Sequence, residues 1–169
     1  MARKRPAGLP SRKQILDFIA TSDQPAGKRE IARVFGLSGQ DKIQADLVSI
    51  GSTLRSLAED AVPMLMICGL YQLFGKFFRT QDGHVIHGIG LLDIETHAGK
   101  ERLIGNIVTR SEQFGEIIGY ENHSGQTFLG QGVEALGFVQ KGAGNNGQDE
   151  TEGARYRNVI GSYLHGSLL

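Results

Sequence analysis

The spacing of apolar residues divides the chain into a helical first part and a β-rich remainder. From residue 11, the sequence SRKQILDFIA places its apolar side chains largely on one side of a helix, with Ser11 as the N-cap. A second short helix is predicted at KREIARVFGL, residues 28–37, where Gly36 ends the pattern. Residues 41–60 again show helical spacing, which Gly51 interrupts. These three segments therefore predict helices, the last with a weak point at Gly51.

A short apolar run then ends at the only cysteine. Pro63 opens the run MLMI, which predicts a buried strand that stops at Cys68 before a glycine. The stretch from Tyr71 to Phe78 continues as a predicted helix. A strand, a tight turn and a helix in this order outline a nucleophile elbow, in which the helix directs N–H groups toward the thiolate. A small core cysteine is an equally good interpretation of the pattern alone.

Beyond Gly83, short apolar or alternating runs are typical of β-strands. The runs are GIGLLDIET, RLIGNIVTR, EIIGYENH, LGFVQK and NVIGSYLHG. Glycine accounts for 24 of 169 residues, about twice its ordinary share, and most glycines lie after residue 68. The stretch KGAGNNGQDETEG at 141–153 is predicted to be a solvated loop, because it lacks the regular alternation of oxygen ligands that a cation site needs.

Composition narrows the class of protein. A length of 169 residues with 40% hydrophobic residues allows one domain, or one domain with a small appendage. A single cysteine excludes an internal disulfide framework and a cysteine-rich zinc site, and it fits a reducing compartment. No apolar run approaches the length of a membrane span, so we expect a cytoplasmic protein.

The net charge of +0 hides an asymmetry along the chain. Residues 1–37 carry eight Lys or Arg against three Asp or Glu, and the remaining residues offset this excess. Together with two short helices joined by a turn, the basic segment 1–38 suggests an alternative function, the binding of RNA or DNA. A solvated tail is the ordinary interpretation of residues 1–10.

Residues suited to nucleophilic chemistry are widely spaced in the sequence. A thiol nucleophile needs a base and N–H donors for the oxyanion that forms on attack. His165 ends an apolar run, which would place its imidazole at a sheet edge beside Cys68, although a half-exposed strand-end histidine fits equally well. Arg102 would either grip a carboxylate as a fork or lie on the surface. His84 and His87 face opposite sides of an extended segment, so we expect no metal site.

Five blocks of sequence resemble one family closely and occur in its order. The blocks are GQDKIQ (39–44), VPMLMICGLYQLFGK (62–76), GIGLLDIETHAGKERLIGNIV (88–108), GYENHSGQTFLG (119–130) and KGAGNNGQDETEGARYRNVIGSYLHGSLL (141–169). They are similar to the GatD family, the glutaminase subunits of lipid II isoglutaminyl synthase. That family is a relative of the cobyric acid synthase-type class I glutamine amidotransferases. The combination of ENHSG, GNNG and YLHG makes the resemblance specific.

The resemblance implies both a fold and a reaction. The implied fold is α/β, with a flavodoxin-like class I glutamine amidotransferase sheet over 39–169 that is incomplete at its N-terminal side. A small helical, winged-helix-like segment at 1–38 is added to it. The implied reaction is hydrolysis of L-glutamine to glutamate and ammonia. The ammonia passes to a MurT-like Mur ligase that amidates lipid II D-glutamate in peptidoglycan synthesis. The chain itself would need no cofactor, because ATP and metal would belong to the ligase.

Position by position, the resemblance also assigns roles to residues. It implies that Cys68 is the nucleophile and His165 the base of a Cys-His dyad, without an acidic third member. Arg102 would hold the glutamine carboxylate, and the Gly69 N–H would stabilise the oxyanion. The implied walls of the substrate pocket are Gln72, Asn122, His123 and Ser124.

Two features depart from the family. Leu70 stands where the family has glycine, and a leucine there would crowd the elbow. The strand-helix-strand unit that precedes the family's GGQD loop is absent, so a homodimer through the exposed sheet edge is one way to supply strands. Residues 3–43 resemble instead the N-terminal helical region of bacterial ribonuclease R. The chain therefore looks like a fusion, and the alternative is an inactive chimeric or truncated protein whose N-terminal segment binds nucleic acid.

Overall fold

Helices form in the first part of the chain where the apolar spacing predicts them. α1 spans Arg12–Thr21 and α2 spans Gly39–Glu59. Gly51 does not interrupt α2, although a glycine inside a helix costs about 1 kcal/mol relative to alanine. The close approach of the Ile89 side chain to Gly51 leaves little room for a larger residue there.

The computed structural model describes residues 12–21 and 39–166, and the chain divides into two compact units, Met1–Ser49 and Ile50–Leu169. The helix predicted at 28–37 lies outside the described residues. Nucleic-acid binding, the resemblance to ribonuclease R and the boundary at residue 38 therefore stay predictions. Within the described ranges, no helix combines the length and the apolar character needed to cross a membrane.

Beyond the end of α2, the described residues of the second unit form one short helix and nine strands. After α2, the elements are β1 (Met64–Ile67), α3 (Gly69–Phe74), β2 (Phe77–Arg79), β3 (Val85–His87), β4 (Ile94–Ser111), β5 (Gly115–Leu129), β6 (Gly137–Lys141), β7 (Thr151–Glu152), β8 (Ala154–Tyr156) and β9 (Val159–Ser162). The predicted β-rich texture beyond Gly83 is confirmed. The run RLIGNIVTR lies within one long strand, β4, whereas only the last three residues of GIGLLDIET belong to it and residues 88–93 form no strand. The register of β4 against β5 shifts between Ala98 and Leu103.

The strands form two sheets. A three-stranded sheet has the order β1-β9-β8, in which β1 and β9 are parallel and β8 and β9 antiparallel. A six-stranded sheet has the order β3-β2-β4-β6-β7, with β5 paired to β4, and it is mostly antiparallel. The expected α/β class is confirmed. Among the described strands, β1 pairs only with β9. That the sheet is incomplete on this side, and that two copies pair there, stay predictions.

The helix predicted from Tyr71 to Phe78 is wrong after Phe74. Gly75 leaves the helix with extended backbone, and an added Cβ there would meet the Ile94 side chain and carbonyl. Phe77 then starts β2, which pairs in parallel with β4. The apolar spacing fits a helix, but the pairing with a strand about twenty residues later decides the structure.

The core lies between the last turns of α2, the helix α3 and the strands. Its fully buried members include Tyr71, Leu92, Ile94, Val159 and Tyr163. Cys68 is partly buried and packs against this cluster. The elbow thus rests on the best-packed part of the unit, which restricts how far the cysteine can move.

A glycine in β9 allows this close packing. An added Cβ on Gly161 would overlap the ring of Tyr71, whereas one on Gly105 of β4 would meet no atom within 4 Å. We expect Gly161→Ala to lower the free energy of unfolding by about 1–3 kcal/mol, since the buried ring must shift. Gly105→Ala, the matched control, is expected to stay within about 0.5 kcal/mol of the wild type or to gain slightly. Equal urea midpoints for the two variants would contradict this packing.

Candidate functional site

Cys68 occupies a strained turn between β1 and α3. Its φ of 55° and ψ of −109° lie in a region that residues with a side chain rarely adopt. The Cys68 N–H donates to the Ser162 carbonyl at 2.9 Å, and the Gln72 N–H donates to the Cys68 carbonyl at 3.2 Å. These bonds fix the turn from both sides. The chain therefore reverses sharply at the thiol, as in a nucleophile elbow.

Cys68 and the segment that leads to His165 leave the sheet at the same edge. β1 and β9 are parallel and end in register, with Ile67 opposite Ser162. Three residues beyond Ser162, the His165 N–H donates to the Tyr120 carbonyl at 2.7 Å and the Tyr120 N–H donates back at 3.0 Å. Nε2 of His165 is buried and has no hydrogen-bond partner among the described residues. The His165 backbone is thus fixed three residues beyond the end of β9, and its Nε2 is left without a partner among the described residues.

Tyr163 contacts both Gln72 and His123, two of the residues predicted to line a substrate pocket. Its ring stacks on the His123 ring, with centroids 3.5 Å apart and an interplanar angle of 3°. Its hydroxyl accepts a bond from Gln72 Nε2 at 3.1 Å and lies 2.7 Å from Thr127 Oγ1. Burial raises the pKa of Tyr163 to about 12, so the hydroxyl keeps its proton and can donate to Thr127. Gln72 of α3 and His123 of β5 are thereby held on one scaffold.

His123 is a buried, neutral histidine. Its side chain is about 1% exposed, and Nδ1 donates to the Gly125 carbonyl at 2.8 Å. The pKa of His123 is lowered to about 4, mainly by burial, and the nearby His165 and Arg102 contribute to the lowering. Nε2 lies 3.9 Å from Glu121 Oε2, which is no ion pair while the ring is neutral. The imidazole is therefore a buried packing partner of Tyr163, and its place in the wall of a substrate pocket stays a prediction.

Arg102 is exposed and is oriented by the residue predicted beside it. Its Nε donates to Asn122 Oδ1 at 2.6 Å, across the paired strands β4 and β5. No carboxylate lies within ion-pair distance of Arg102 in the described part of the chain. The amide thus fixes the guanidinium without neutralising it. Ser124, two residues further along β5, is half-buried.

The two residues directly after Cys68 face outward. Gly69 is exposed, and an added Cβ there would meet no atom within 4 Å. Leu70 is 53% exposed, so its side chain extends into solvent instead of crowding the elbow. The first turn of α3 beside Cys68 therefore exposes an apolar side chain.

The prediction that 141–153 is a solvated loop is wrong for its centre. Gly144, Asn145 and Asn146 are buried. The Tyr71 hydroxyl donates to Asn145 Oδ1 at 3.1 Å, and Asn146 Nδ2 donates to the Thr127 carbonyl at 3.0 Å. The two amides replace water as partners for α3 and β5. The loop is thus part of the scaffold behind the site.

Two buried carboxyl groups escaped the sequence analysis. Glu121 accepts the N–H groups of Ala143 and Gly144 at 2.8 and 2.9 Å. Glu152 is fully buried, and burial raises its pKa to about 7. Alternation along β5 places Glu121 on the same face as His123, which was the available signal. Glu152 carries no comparable signal. Across residues 12–21 and 39–166, no three His, Cys, Asp or Glu side chains are grouped to hold a metal ion.

Glu152 and His123 impose opposite pH dependences on stability. The pKa of His123 is 6.5 in the unfolded chain and about 4 when folded, so its contribution falls as pH drops through this range. The pKa of Glu152 is 4.5 when unfolded and about 7 when folded, so its contribution is fully present at low pH and falls as pH rises to 7. Each of these two losses lowers the free energy of unfolding by about 3 kcal/mol.

We therefore expect the two neutral variants to change the pH dependence in opposite ways. Glu152→Gln should remove the loss of stability that accompanies rising pH. His123→Asn should remove the loss of stability that accompanies falling pH. Urea unfolding of both variants and the wild type across this pH range measures the difference. Variant curves that run parallel to the wild type would contradict the assigned shifts.

The sequence of this chain matches known glutamine amidotransferases. The CobB/CobQ-like glutamine amidotransferase domain matches residues 37–169. The GatD subunit of lipid II isoglutaminyl synthase (glutamine-hydrolyzing) from Staphylococcus aureus is 44% identical, over 78% of this chain and 55% of that protein. The GatD subunit from Streptococcus pneumoniae is 37% identical, over 91% of this chain and 61% of that protein. The chain therefore spans somewhat more than half the length of these curated relatives.

Proteins with other names are also similar to this chain. A probable cobyric acid synthase from Methanothermobacter thermautotrophicus is 33% identical, over 75% of this chain and 27% of that protein. A solved structure of a glutamine amidotransferase has a TM-score of 0.49 at 17% identity, over 80% of this chain and 62% of that chain. Because the domain match takes in most of the sequence, and the motifs predicted it, this chain belongs to the family of CobB/CobQ-like glutamine amidotransferases.

Proposed function

We propose that this chain hydrolyses L-glutamine to glutamate and ammonia, with Cys68 as nucleophile and His165 as base. The observation that carries the proposal is the strained turn at Cys68, which is bonded to the strand that continues to His165. Strain of about 1–3 kcal/mol in a single residue persists only where the surrounding structure imposes it. A thiol held at such a turn is directed for attack on a substrate.

The first half-reaction forms a thioester. The Cys68 thiol gives its proton to Nε2 of His165, and sulfur bonds to the side-chain amide carbon of glutamine. The carbonyl oxygen takes the negative charge, which the Gly69 N–H stabilises. The C–N bond then breaks while His165 returns the proton to the nitrogen. Ammonia leaves, and a γ-glutamyl thioester stays on sulfur.

The second half-reaction restores the thiol. His165 takes a proton from water, and the resulting hydroxide adds to the thioester carbon. The C–S bond breaks, the proton returns to sulfur, and glutamate leaves. Atoms balance over the two halves: one water enters, and one ammonia and one glutamate are released.

Arg102 gives the site its selectivity for an amino acid. Its guanidinium is exposed, oriented by Asn122 and without a carboxylate partner in the described ranges. A planar fork of N–H groups suits the α-carboxylate of glutamine. Asn122 and Ser124, on one face of β5, and Gln72 of α3 would line the pocket. His123 lies on the opposite, buried face of the strand and, like Gln72, is held through Tyr163.

We further propose that the ammonia serves lipid II amidation. The two GatD relatives are subunits of lipid II isoglutaminyl synthase, and their 44% and 37% identities support a similar role here. The partner would be a MurT-like Mur ligase that supplies ATP and metal and amidates the D-glutamate of lipid II. The reaction would take place in the cytoplasm, where a lone thiol stays reduced.

Loss of the nucleophile tests the reaction itself. We expect glutamate release from L-glutamine, measured with and without the ligase partner, to fall at least about 10³-fold in Cys68→Ala and in His165→Asn. His84→Asn, a substitution of an exposed histidine, should retain wild-type kcat. A wild-type chain that releases no glutamate even with the partner present would refute the proposal, as would a Cys68→Ala variant that still releases it.

Loss of the arginine tests substrate recognition. Arg102→Ala should raise KM for L-glutamine by about 10- to 100-fold with little change in kcat, since it removes a charge-assisted hydrogen bond. Arg102→Lys should recover only part of the loss. L-Glutaminamide, which lacks the α-carboxylate, should give the same KM with the wild type and with Arg102→Ala. Arg110→Ala, an exposed arginine of the same strand, is the control. A matching rise in KM for glutaminamide would exclude a carboxylate contact.

A further inference from the structure

Glu152 is a buried carboxyl group to which the proposed chemistry gives no role. It is fully buried, and its Oε2 has no hydrogen-bond partner among the described residues. Its Oε1 accepts the Ser162 hydroxyl at 2.6 Å and the Tyr163 N–H at 2.9 Å. Burial of a carboxyl group with one oxygen unpaired is costly. The two bonds that Oε1 accepts show which part of the chain the Glu152 side chain holds in place.

Those bonds restrain the segment that leads to His165. The Ser162 hydroxyl, which donates to Glu152, also accepts the Leu164 N–H at 2.9 Å. One carboxyl oxygen therefore fixes three successive residues, 162–164, directly or through one hydroxyl. His165 is the next residue, and its backbone pairs with Tyr120.

The same segment holds the nucleophile. The Ser162 carbonyl accepts the Cys68 N–H at 2.9 Å. Ser162 is thus bonded to Cys68 through its carbonyl and to Glu152 through its hydroxyl. A shift of the Glu152 side chain would therefore move Ser162, and with it both the carbonyl that holds Cys68 and the segment that leads to His165.

The charged and titratable groups around Glu152 come from three elements. They are Tyr71 of α3, Tyr163 after β9 and Glu121 of β5. Burial is the main reason that the pKa of Glu152 is raised to about 7, and Glu121 adds to the rise, whereas the bonds from Ser162 and Tyr163 oppose it. Both protonation forms therefore occur near neutral pH. Oε1 serves as acceptor in either form, and a glutamine side chain offers the same acceptor.

We infer that Glu152 is the positioning residue of the Cys68–His165 dyad, because its Oε1 sets the path of residues 162–164 and so the approach of the imidazole to the thiol. The inference rests on the proposed glutaminase chemistry. Glu152 neither touches glutamine nor transfers a proton. It determines the geometry in which the thiol and the imidazole meet.

Removal and replacement of the acceptor test this role. Glu152→Ala should lower kcat about 10- to 100-fold, the effect of a displacement of about 1 Å, while KM for glutamine stays within about threefold. Glu152→Gln should recover kcat to within about threefold of the wild type, because Oε1 is retained. Ile86→Val, in a buried residue of β3, is the control for lost stability and should leave kcat unchanged at a temperature where all variants are folded.

Alkylation of Cys68 by iodoacetamide at neutral pH separates this inference from the proposed function. The rate should fall several-fold in His165→Asn and in Glu152→Ala but not in Glu152→Gln. If His165→Asn is alkylated as fast as the wild type, the dyad itself is refuted. A rate that responds to His165→Asn but not to Glu152→Ala would refute only the positioning role.

Ser162→Ala keeps the inference testable if Glu152→Ala does not fold. It removes the hydroxyl between Glu152 and Leu164 while the carbonyl bond to Cys68 stays. We expect kcat to fall about fivefold, the worth of one hydrogen bond, with KM unchanged. In a Glu152→Gln background, Ser162→Ala should lower kcat by no more than it does in the wild type. Wild-type kcat in Ser162→Ala, or a Glu152→Gln variant as impaired as Glu152→Ala, would overturn the inference.

Discussion

The parallel pairing of β1 with β9 is the constraint on which the site depends. The two strands end together, with Ile67 opposite Ser162, and the bond from the Cys68 N–H to the Ser162 carbonyl extends the ladder by one residue. Cys68 then turns with a positive φ into α3, while the segment after β9 continues through Tyr163 to His165. Residues about one hundred positions apart in sequence are thus brought to one sheet edge, where ligands gather in α/β proteins.

Buried polar groups keep that edge in place. Tyr163 supports His123 by stacking and Gln72 by a hydrogen bond, while Asn145 bonds the Tyr71 hydroxyl from the opposite side. Each such group costs free energy when it lacks a partner, so the network tolerates few alternative arrangements. The unpaired atoms are informative for the same reason: Nε2 of His165 and Oε2 of Glu152 are buried without partners among the described residues.

Local patterns predicted much of the fold, and long-range partners explain the errors. α1, α2 and the strand before Cys68 follow from apolar spacing, which depends only on neighbouring residues. The helix predicted through Phe78 is wrong because β2 pairs with β4, and the loop at 141–153 is buried because the amides of Asn145 and Asn146 find partners on α3 and β5. Glu152 was missed because its partners on β9 confer no pattern on its own segment.

The most direct test of the central claim is the covalent state of Cys68 during turnover. Protein mixed with L-glutamine and quenched in acid within a turnover should carry one added γ-glutamyl group, located on the peptide that contains Cys68 and absent from Cys68→Ala. The account predicts that this adduct forms and decays at the rate of glutamate release. Glutamate release without any adduct on Cys68, or an adduct on another residue, would contradict it.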